Sequence, residues 1–424
     1  MVRAALAAAD AGRLVSHALT TPEIHGTLTS ASAIDVVAVG KAARAMLIAA
    51  SGVAANLPLR HLLGVSPQPG AGLPPAAQWH ISAHPVPDPR SLVAGQAVLD
   101  IASAGHVDDL FVLLLSGGAS ALMAVPAEGI SLQDKRRASA RLLKEGAEVH
   151  ALNTVRKHLS AIKGGQLAAV ARGAVLALAV SDVVGDDPSA IGSGPTVADT
   201  TTFGEALGIL DQHGGRDQYP AAVVARLMNG AAGGVAETPK PGDSRLARST
   251  SFVIGGSRTA VDGARAAAER RGYNVHVIDA PLVGEARQAA QELLQTTSRV
   301  LRGRAGPQCI LAAGETTVRV SGSGKGGRNQ ECALAMAEGI GRLAPAVVAA
   351  SIGTDGVDGP TDAAGGIVDS TTLARAETLG IGTPMKYLDD NNSYAFFEAL
   401  GDLIRIGPTD TNVGDLQIIL VDTP

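Results

Sequence analysis

Short apolar runs alternate with helical patterns along the 424 residues of this chain. Three of the runs are almost entirely apolar: IDVVAVG (34–40), LFVLLLS (110–116) and GAVLALAVSD (173–182). Runs of this kind are typical of strands that are buried on both faces of a parallel sheet. Their alternation with helices predicts an α/β fold.

The alternation is interrupted at 230–250 by a segment rich in glycine, proline and charge, GAAGGVAETPKPGDSRLARST. Because this segment has no periodicity, we place a domain boundary in it. We predict a Rossmann-like nucleotide-binding domain over 1–240 and a second α/β domain over 241–424. Both are expected to be three-layer sandwiches, with an active-site cleft between them. The run SFVIGGS (251–257) is expected to open the second domain.

One helical pattern covers 138–165 and ends on a pair of glycines. Asn153 and Arg156 lie three residues apart in it and therefore share a face of the helix. We take both as candidates for substrate binding. Lys157 and Lys163 are expected to lie on a solvated face.

Composition narrows the class of protein. The net charge of −5 gives no broad basic field, so nucleic acid is not an expected partner. Two cysteines, Cys309 and Cys332, cannot build a disulfide framework, which suits a reducing cytoplasm. The apolar N-terminus is interrupted by Asp10, Arg13 and His17 and is expected to form an amphipathic helix rather than a signal peptide. No apolar run approaches the ~20 residues that span a membrane.

Ligands of open α/β sheets lie beyond the carboxyl ends of the strands, so the loops after the apolar runs hold the candidate residues. Lys41 follows the first run directly, where a helix N-terminus disfavours a cation that lacks an anionic partner. The turn SGGAS (116–120) follows the second run, and its glycines allow backbone N–H groups to approach an anion. The third run leads into SDVVGDDPSAIGSGPT (181–196), which contains another glycine turn.

Asp182, Asp186 and Asp187 in this last loop offer the oxygen ligands that Mg²⁺ prefers. Helix capping and turn formation are alternative roles for them. Loops of the C-terminal half contain further charged residues: Glu315, Lys325, Arg328, Asp355, Asp358 and Asp362. Such clusters in both halves fit phosphoryl transfer, which requires positioning and charge neutralisation more than covalent chemistry.

The stretch VSGSGKGGRNQE (320–331) raises an alternative function. It lacks the first glycine and the hydroxyl residue of a Walker loop, but Gly322, Gly324 and Gly327 match the dinucleotide fingerprint. The preceding TTVRV (316–320) alternates polar and apolar residues and predicts an antiparallel or edge strand, not the buried parallel strand that the fingerprint requires. We therefore expect these glycines to bring backbone close to another ligand, and an NAD(P)H-dependent hydroxypyruvate reductase stays an alternative.

The chain resembles the class II glycerate kinases, from about Val36 to Val421, in seven motifs: VAVGKAA, LLSGGASAL, LNTVRKHLSAIKGGQLA, SDVVGDDPSAIGSGPT, GKGGRNQE, SIGTDGVDGPTDAAGG and GPTDTNVGDLQIIL. The resemblance implies ATP-dependent phosphorylation of D-glycerate, usually to 2-phosphoglycerate, with ATP and Mg²⁺ as cofactors. Members of this family often carry the hydroxypyruvate reductase name. Two departures are Ala313 and Asp410, where the family often has glycine.

The resemblance also implies roles for residues. Lys41 and Arg328 are the essential lysine and arginine, and we assign Asp187 to the catalytic group with them. The nucleotide is expected to be bound by two loops: Ser116, Gly117, Gly118 and Ser120, with Gly192, Ser193 and Gly194. The substrate-binding candidates are Asn153, Arg156, Glu315 and Asp355. The metal candidates are Asp182 and Asp187, and which of them ligates Mg²⁺ stays open, as does the oligomeric state, for which a homodimer is one candidate.

Overall fold

The computed structural model describes residues 1–422. Its helices are α1 (Val2–Ala8), α2 (Ala11–Thr20), α3 (Pro22–Ser30), α4 (Ala43–Val53), α5 (Pro89–Ala104), α6 (Ala119–Leu122), α7 (Leu132–Lys144), α8 (Val149–His158), α9 (Gln166–Val170), α10 (Phe203–Gln212), α11 (Ala221–Ala231), α12 (Ser257–Glu269), α13 (Ala286–Leu301), α14 (Arg328–Ile340), α15 (Thr372–Thr378), α16 (Pro384–Asp389) and α17 (Ser393–Leu400). Its strands are β1 (Ile34–Val39), β2 (Leu59–Ser66), β3 (Gln78–Ile81), β4 (Leu110–Leu115), β5 (Ala174–Val180), β6 (Ser249–Gly255), β7 (Asn274–Val277), β8 (Leu282–Glu285), β9 (Gln308–Thr317), β10 (Ala346–Gly353), β11 (Gly365–Asp369), β12 (Leu403–Ile404) and β13 (Asp415–Asp422).

The chain folds into two compact units, each built on its own sheet. We call them the parallel-sheet unit, residues 11–181 and 185–254, and the mixed-sheet unit, residues 1–10, 182–184 and 255–424. The domain ranges expected from the sequence stay a prediction of domain organisation. No helix in the described part of the chain is both long and apolar enough to cross a membrane.

The sheet of the parallel-sheet unit has the strand order β3-β2-β1-β4-β5-β6. The pairs from β3 to β5 are parallel, and β1 and β4 are buried along their whole length. The prediction of three buried parallel strands, which are β1, β4 and β5, is therefore confirmed. The chain builds β1 to β3 toward one edge and then returns to place β4 and β5 on the other side of β1. This reversal between β1 and β4 is the switch point at which open α/β sheets bind ligands.

Two expectations about this unit are wrong. Strand β6, expected to open the second domain, is hydrogen-bonded next to β5 at the edge of the parallel sheet, and its burial alternates as in an edge strand. The single helix expected over 138–165 is two helices, α7 and α8. Gly146 lies between them with φ 73°, a left-handed conformation that ends a helix.

The sheet of the mixed-sheet unit has the order β12-β11-β10-β13-β9-β7, with β8 also pairing with β9. Strands β9 to β13 pair antiparallel, whereas β7 and β8 run parallel to β9. The antiparallel or edge strand expected at 316–320 does not form as such, because Thr316 and Thr317 continue β9 and pair in parallel with β8. Helices α13 and α14 pack on each other and on β9, so the α/β class predicted for this half is confirmed.

Candidate active site

Two loops meet at the switch point of the parallel sheet. The backbone N–H of Lys41 donates to the carbonyl oxygen of Gly117 (2.9 Å), and the N–H of Ala42 donates to Oγ of Ser116 (3.1 Å). Gly40 has φ 138°, and a Cβ there would lie 2.0 Å from Oγ of Ser116. Glycine is therefore required at position 40, and the contact places the partly exposed Lys41 beside the SGG turn.

The SGG turn offers backbone donors that the fold does not use. Within residues 1–422, the N–H groups of Gly117 and Gly118 donate no hydrogen bond. Gly118 has φ 89°, so the chain turns sharply before the short helix α6. Successive unpaired N–H groups in such a turn form a concave site for an anion. The turn therefore has the chemistry expected of a loop that binds phosphate.

The second glycine turn packs against the first. Gly192, Ser193 and Gly194 all have positive φ, of 57°, 62° and 60°. Oγ of Ser193 donates to Oδ1 of Asn153 (3.2 Å) and lies 3.2 Å from Oγ of Ser120. A serine in the left-handed region is strained, and such strain concentrates at functional sites. The structure thus brings together nucleotide candidates from both loops and one substrate candidate.

Lys163 holds these two turns together, a role that the sequence analysis missed. It is 1% exposed, not solvated, and its Nζ donates to O and Oγ of Ser120 (3.0 and 2.8 Å) and to O of Gly192 (3.0 Å). Lys157 is also buried and pairs with Asp199 at 3.2 Å. Lys163 was expected on the solvated face of a helix, but α8 ends at His158. Lys163 therefore lies in a turn, where the face of a helix does not determine its exposure.

The candidate metal ligands lie in different compact units. Both carboxylate oxygens of Asp187 accept hydrogen bonds from Ser189, from its N–H (2.8 Å) and its Oγ (2.7 Å). Asp182 accepts from Nδ2 of Asn412 (2.7 Å). Among the described residues, no group of three or more His, Cys, Asp or Glu side chains is arranged to hold a metal. A carboxylate that accepts one hydrogen bond can accept others or bind a metal. Mg²⁺ needs only one or two carboxylates when phosphates supply the other ligands. These residues therefore fit Mg²⁺ that is bound together with a nucleotide.

Arg328 lies in a cluster of acidic residues in the mixed-sheet unit. Its Nε and Nη2 bind Asp415 (2.8 and 3.0 Å), and its Nη1 binds Glu315 (2.9 Å). Burial lowers the pKa of Arg328, but the adjacent Asp415 and Glu315 carboxylates outweigh it and raise that pKa above its usual value. Arg328 therefore stays charged, and one edge of its guanidinium is fixed. Asp355 lies in the loop after β10, where its Oδ1 accepts from the N–H of Val357 (3.2 Å).

Helix α14 begins at Arg328, and a carboxylate already occupies its N-terminus. Asp358 accepts from the N–H groups of Asn329 (3.0 Å) and Gln330 (2.8 Å). Burial raises the pKa of Asp358 to about 6. In a dinucleotide-binding fold the pyrophosphate would occupy this position. The side chain of Asp358 occupies it, so the N–H groups of Asn329 and Gln330 are already used and are not offered to a pyrophosphate.

The glycine-rich loop before α14 also uses its donors internally. The N–H groups of Ser321 and Gly322 donate to Oδ1 of Asn391 (2.8 and 2.9 Å), and the N–H of Gly324 donates to the carbonyl oxygen of Asp390 (2.8 Å). A Cβ on Gly322 or Gly324 would lie 2.3 Å from an atom of residues 390–392. These glycines therefore allow close packing within the unit, which corrects the expectation that they approach a ligand.

A parallel sheet with unpaired N–H groups and a lysine at its switch point has the architecture with which α/β enzymes bind anionic ligands. Residues 1–228 match a domain of unknown function, DUF4147, and residues 308–415 match the MOFRL family. The glycerate 2-kinase of Pyrococcus horikoshii is 40% identical over 342 residues, which cover 80% of this chain and 76% of that protein. An Agrobacterium vitis protein named as a putative hydroxypyruvate reductase is 40% identical over 395 residues, which cover 91% of this chain and 86% of that protein.

The crystal structure of a glycerate kinase from Thermotoga maritima matches this fold with a TM-score of 0.83 and 36% identity, covering 99% of this chain and 97% of that one. The chain belongs to the glycerate kinase family that combines DUF4147 and MOFRL. The family and the fold class predicted from the sequence are therefore confirmed.

Proposed function

We propose that this protein transfers the γ-phosphoryl group of ATP to D-glycerate and forms 2-phospho-D-glycerate. The observation that carries the proposal is the pair of unpaired N–H groups of Gly117 and Gly118 beside Lys41, at the switch point of the sheet. Backbone donors and one ammonium suit the oxygens of a phosphate chain. The glycerate 2-kinases among the relatives support the acceptor and the position of transfer.

The proposed roles follow the chemistry of each residue. Lys41, Gly117 and Gly118 bind oxygens of ATP, and the turn at Ser193 holds the SGG turn in shape. Arg328 stabilises the negative charge of the transferring phosphoryl group or binds the glycerate carboxylate, since a planar guanidinium is suited to both. Glu315 keeps that guanidinium in place and is a further candidate for substrate contact, together with the residues Asn153 and Asp355.

Mg²⁺ is the proposed metal, and when bound it neutralises charge on the phosphates. Asp187 or Asp182 would hold it, each with acceptor capacity left after its hydrogen bonds to Ser189 or Asn412. The carboxylate held by Ser189 belongs to the same unit as the SGG turn, which favours Asp187. A cytoplasmic location and a homodimer stay predictions.

The test is a coupled assay of ADP formation with and without D-glycerate. We expect ADP release that depends on D-glycerate, and phosphorus NMR of the product should show phosphate on the 2-hydroxyl. ATP consumption without dependence on D-glycerate would contradict the proposal. NADH oxidation with hydroxypyruvate is expected to be absent, because the carboxylate of Asp358 occupies the position of a dinucleotide phosphate. A non-catalytic binding protein would bind D-glycerate without consuming ATP.

A further inference from the structure

Among the described residues, three cationic side chains of the parallel-sheet unit have no acidic partner. Lys135 on α7 is 7% exposed and Lys163 is 1% exposed, while Arg156 on α8 is partly exposed. In the described part of the chain, none of the three forms an ion pair with a carboxylate. The guanidinium of Arg156 makes no hydrogen bond to any described residue. Buried cations are almost always paired, so this group requires an explanation.

Hydrogen bonds connect the segments that carry the three side chains. Nζ of Lys135 donates to the carbonyl oxygen of Val125 (3.4 Å), which also accepts from Oγ of Ser160 (3.2 Å). Oγ of Ser160 accepts in turn from the N–H of Lys163 (3.3 Å). Arg156 lies on α8 three residues after Asn153 and on the same face, and Oδ1 of Asn153 accepts from Oγ of Ser193 (3.2 Å). The face of α8 that holds Asn153 and Arg156 therefore adjoins the second glycine turn, which Lys163 also contacts, and the hydrogen bond from Lys135 lies at the turn that follows α8.

The charges of this group oppose one another. Burial, and then the nearby Arg156, lower the pKa of Lys135 to about 7. Burial, Arg156 and Lys135 lower the pKa of Lys163 well below its usual value. Nζ of Lys163 donates to three oxygen acceptors, which offset part of the free energy needed to bury its charge. Nζ of Lys135 makes only one long hydrogen bond. An uncompensated buried charge costs several kcal/mol, and the described chain supplies no anion to reduce this cost.

We propose that Arg156, with Lys135 and Lys163 behind it, forms a subsite that binds an oxyanion group of a substrate, a carboxylate or a phosphoryl group. Lys163 bonds to both glycine turns of the switch point, so the subsite adjoins the loops assigned to the nucleotide. Arg156 contacts the oxyanion through its planar donors. The two lysines are positioning residues: Lys163 holds the two turns, and a bound oxyanion would favour the charged form of both lysines. The identity of the ligands rests on the proposed function, because ATP and glycerate bear these two groups.

The test removes one positive charge at a time. Arg156→Met and Lys135→Met are the test variants, and Arg137→Met removes an exposed charge from the same helix as Lys135 and is the control. The melting temperature is measured without ligand, and the affinity is measured separately for D-glycerate, ADP and inorganic phosphate. We expect both test variants to melt at or above the wild-type temperature, because an uncompensated charge has been removed. We expect their affinity for one ligand to fall at least ~10-fold, as for the loss of a charged hydrogen bond.

The ligand whose affinity falls identifies the chemical group that the subsite binds. A loss confined to D-glycerate supports a carboxylate subsite, and a loss for ADP and inorganic phosphate supports a phosphoryl subsite. Affinities within twofold of the wild type for every ligand would overturn the proposal. A lower melting temperature with unchanged affinities would also overturn it, since that is the behaviour of a merely structural group. If the wild type fails to phosphorylate D-glycerate but binds phosphate through Arg156, the proposed function fails and the subsite stands.

Discussion

The guanidinium of Arg328 and the carboxylate of Asp415 form a bidentate salt bridge, with an Nε–Oδ2 distance of 2.8 Å and an Nη2–Oδ1 distance of 3.0 Å. Asp415 is fully buried, whereas Arg328 is one-third exposed. Nδ2 of Asn329 donates to the same carboxylate (2.8 Å) and fixes it from another side. A planar donor with one edge held in this way is oriented before any ligand arrives, which is what charge stabilisation in phosphoryl transfer requires.

Arg328→Ala should nearly abolish turnover. The loss of a cation that stabilises a transferring phosphoryl group costs ~10³-fold or more in kcat. Arg319→Ala is the matched control, because Arg319 is exposed and lies in the segment before the same helix, and it should retain the wild-type rate. The coupled D-glycerate assay measures both, and a thermal melt verifies folding. An Arg328→Ala enzyme with more than about half of the wild-type rate would remove this residue from the catalytic group.

Lys41→Ala should lower turnover about as much as Arg328→Ala does, without unfolding the protein. The contact between the two switch-point loops uses the backbone N–H of Lys41, so it survives replacement of the side chain. We expect kcat to fall ~10³-fold and Lys41→Arg to restore part of it, since the positive charge returns with a different shape. Lys144→Ala removes an exposed lysine of the same unit and is the control. Equal losses in Lys41→Ala and Lys144→Ala would contradict a specific role.

The fold of the parallel-sheet unit could be predicted because its strands are buried on both faces and therefore need nearly continuous apolar sequence. The loops that follow these strands then had to lie at one edge of the sheet, which identified Lys41 and Ser116 as candidates. Strand β6 has no such signal, because an edge strand alternates polar and apolar residues and resembles the start of another unit. Its place was determined only by its hydrogen bonds to β5.

Other parts of the site could not be read from the sequence, because the decisive contacts are distant along the chain. Lys163 bonds to Ser120, 43 residues away, and nothing near it in the sequence distinguishes it from a solvated lysine. Gly322 is required by close packing against Asp390, yet a phosphate loop would show the same glycine pattern. A pattern of glycines indicates that other atoms lie close to the backbone. It does not indicate whether those atoms belong to a ligand or to another part of the chain.

Gly40→Ala should disrupt the switch point, because the new Cβ would lie 2.0 Å from Oγ of Ser116. Gly129→Ala is the control for backbone strain alone, since Gly129 also has a positive φ, of 78°, but has no atom within 4 Å of the added Cβ. We expect the control to lower the free energy of unfolding by ~1–3 kcal/mol and to leave kcat unchanged. Gly40→Ala should lose more stability and most of its activity. Similar activities for the two variants would show that the contact with Ser116 has no functional importance.

The buried carboxylate of Asp358 should make stability fall as the pH rises from about 4 to 6. Its folded pKa of about 6 lies above the ordinary aspartate pKa of 3.8, so in this window the folded state binds more protons than the unfolded state. Asp358→Asn lacks this titration, and its free energy of unfolding relative to the wild type should therefore increase through the window, by up to about 3 kcal/mol. Urea unfolding at several pH values from about 4.5 to 7.5 measures the difference.

Asp362→Asn is the control for this titration, because Tyr394 and then Arg405 hold the pKa of Asp362 below its usual value. The carboxylate of Asp362 contributes stability that is lost only as the pH falls below the ordinary aspartate pKa of 3.8. The difference in unfolding free energy between Asp362→Asn and the wild type should therefore stay flat across the same range. A flat difference for Asp358→Asn as well would mean that the carboxylate at the start of α14 is charged throughout. The N–H groups of Asn329 and Gln330 would then be sufficient to keep it ionised in spite of its burial.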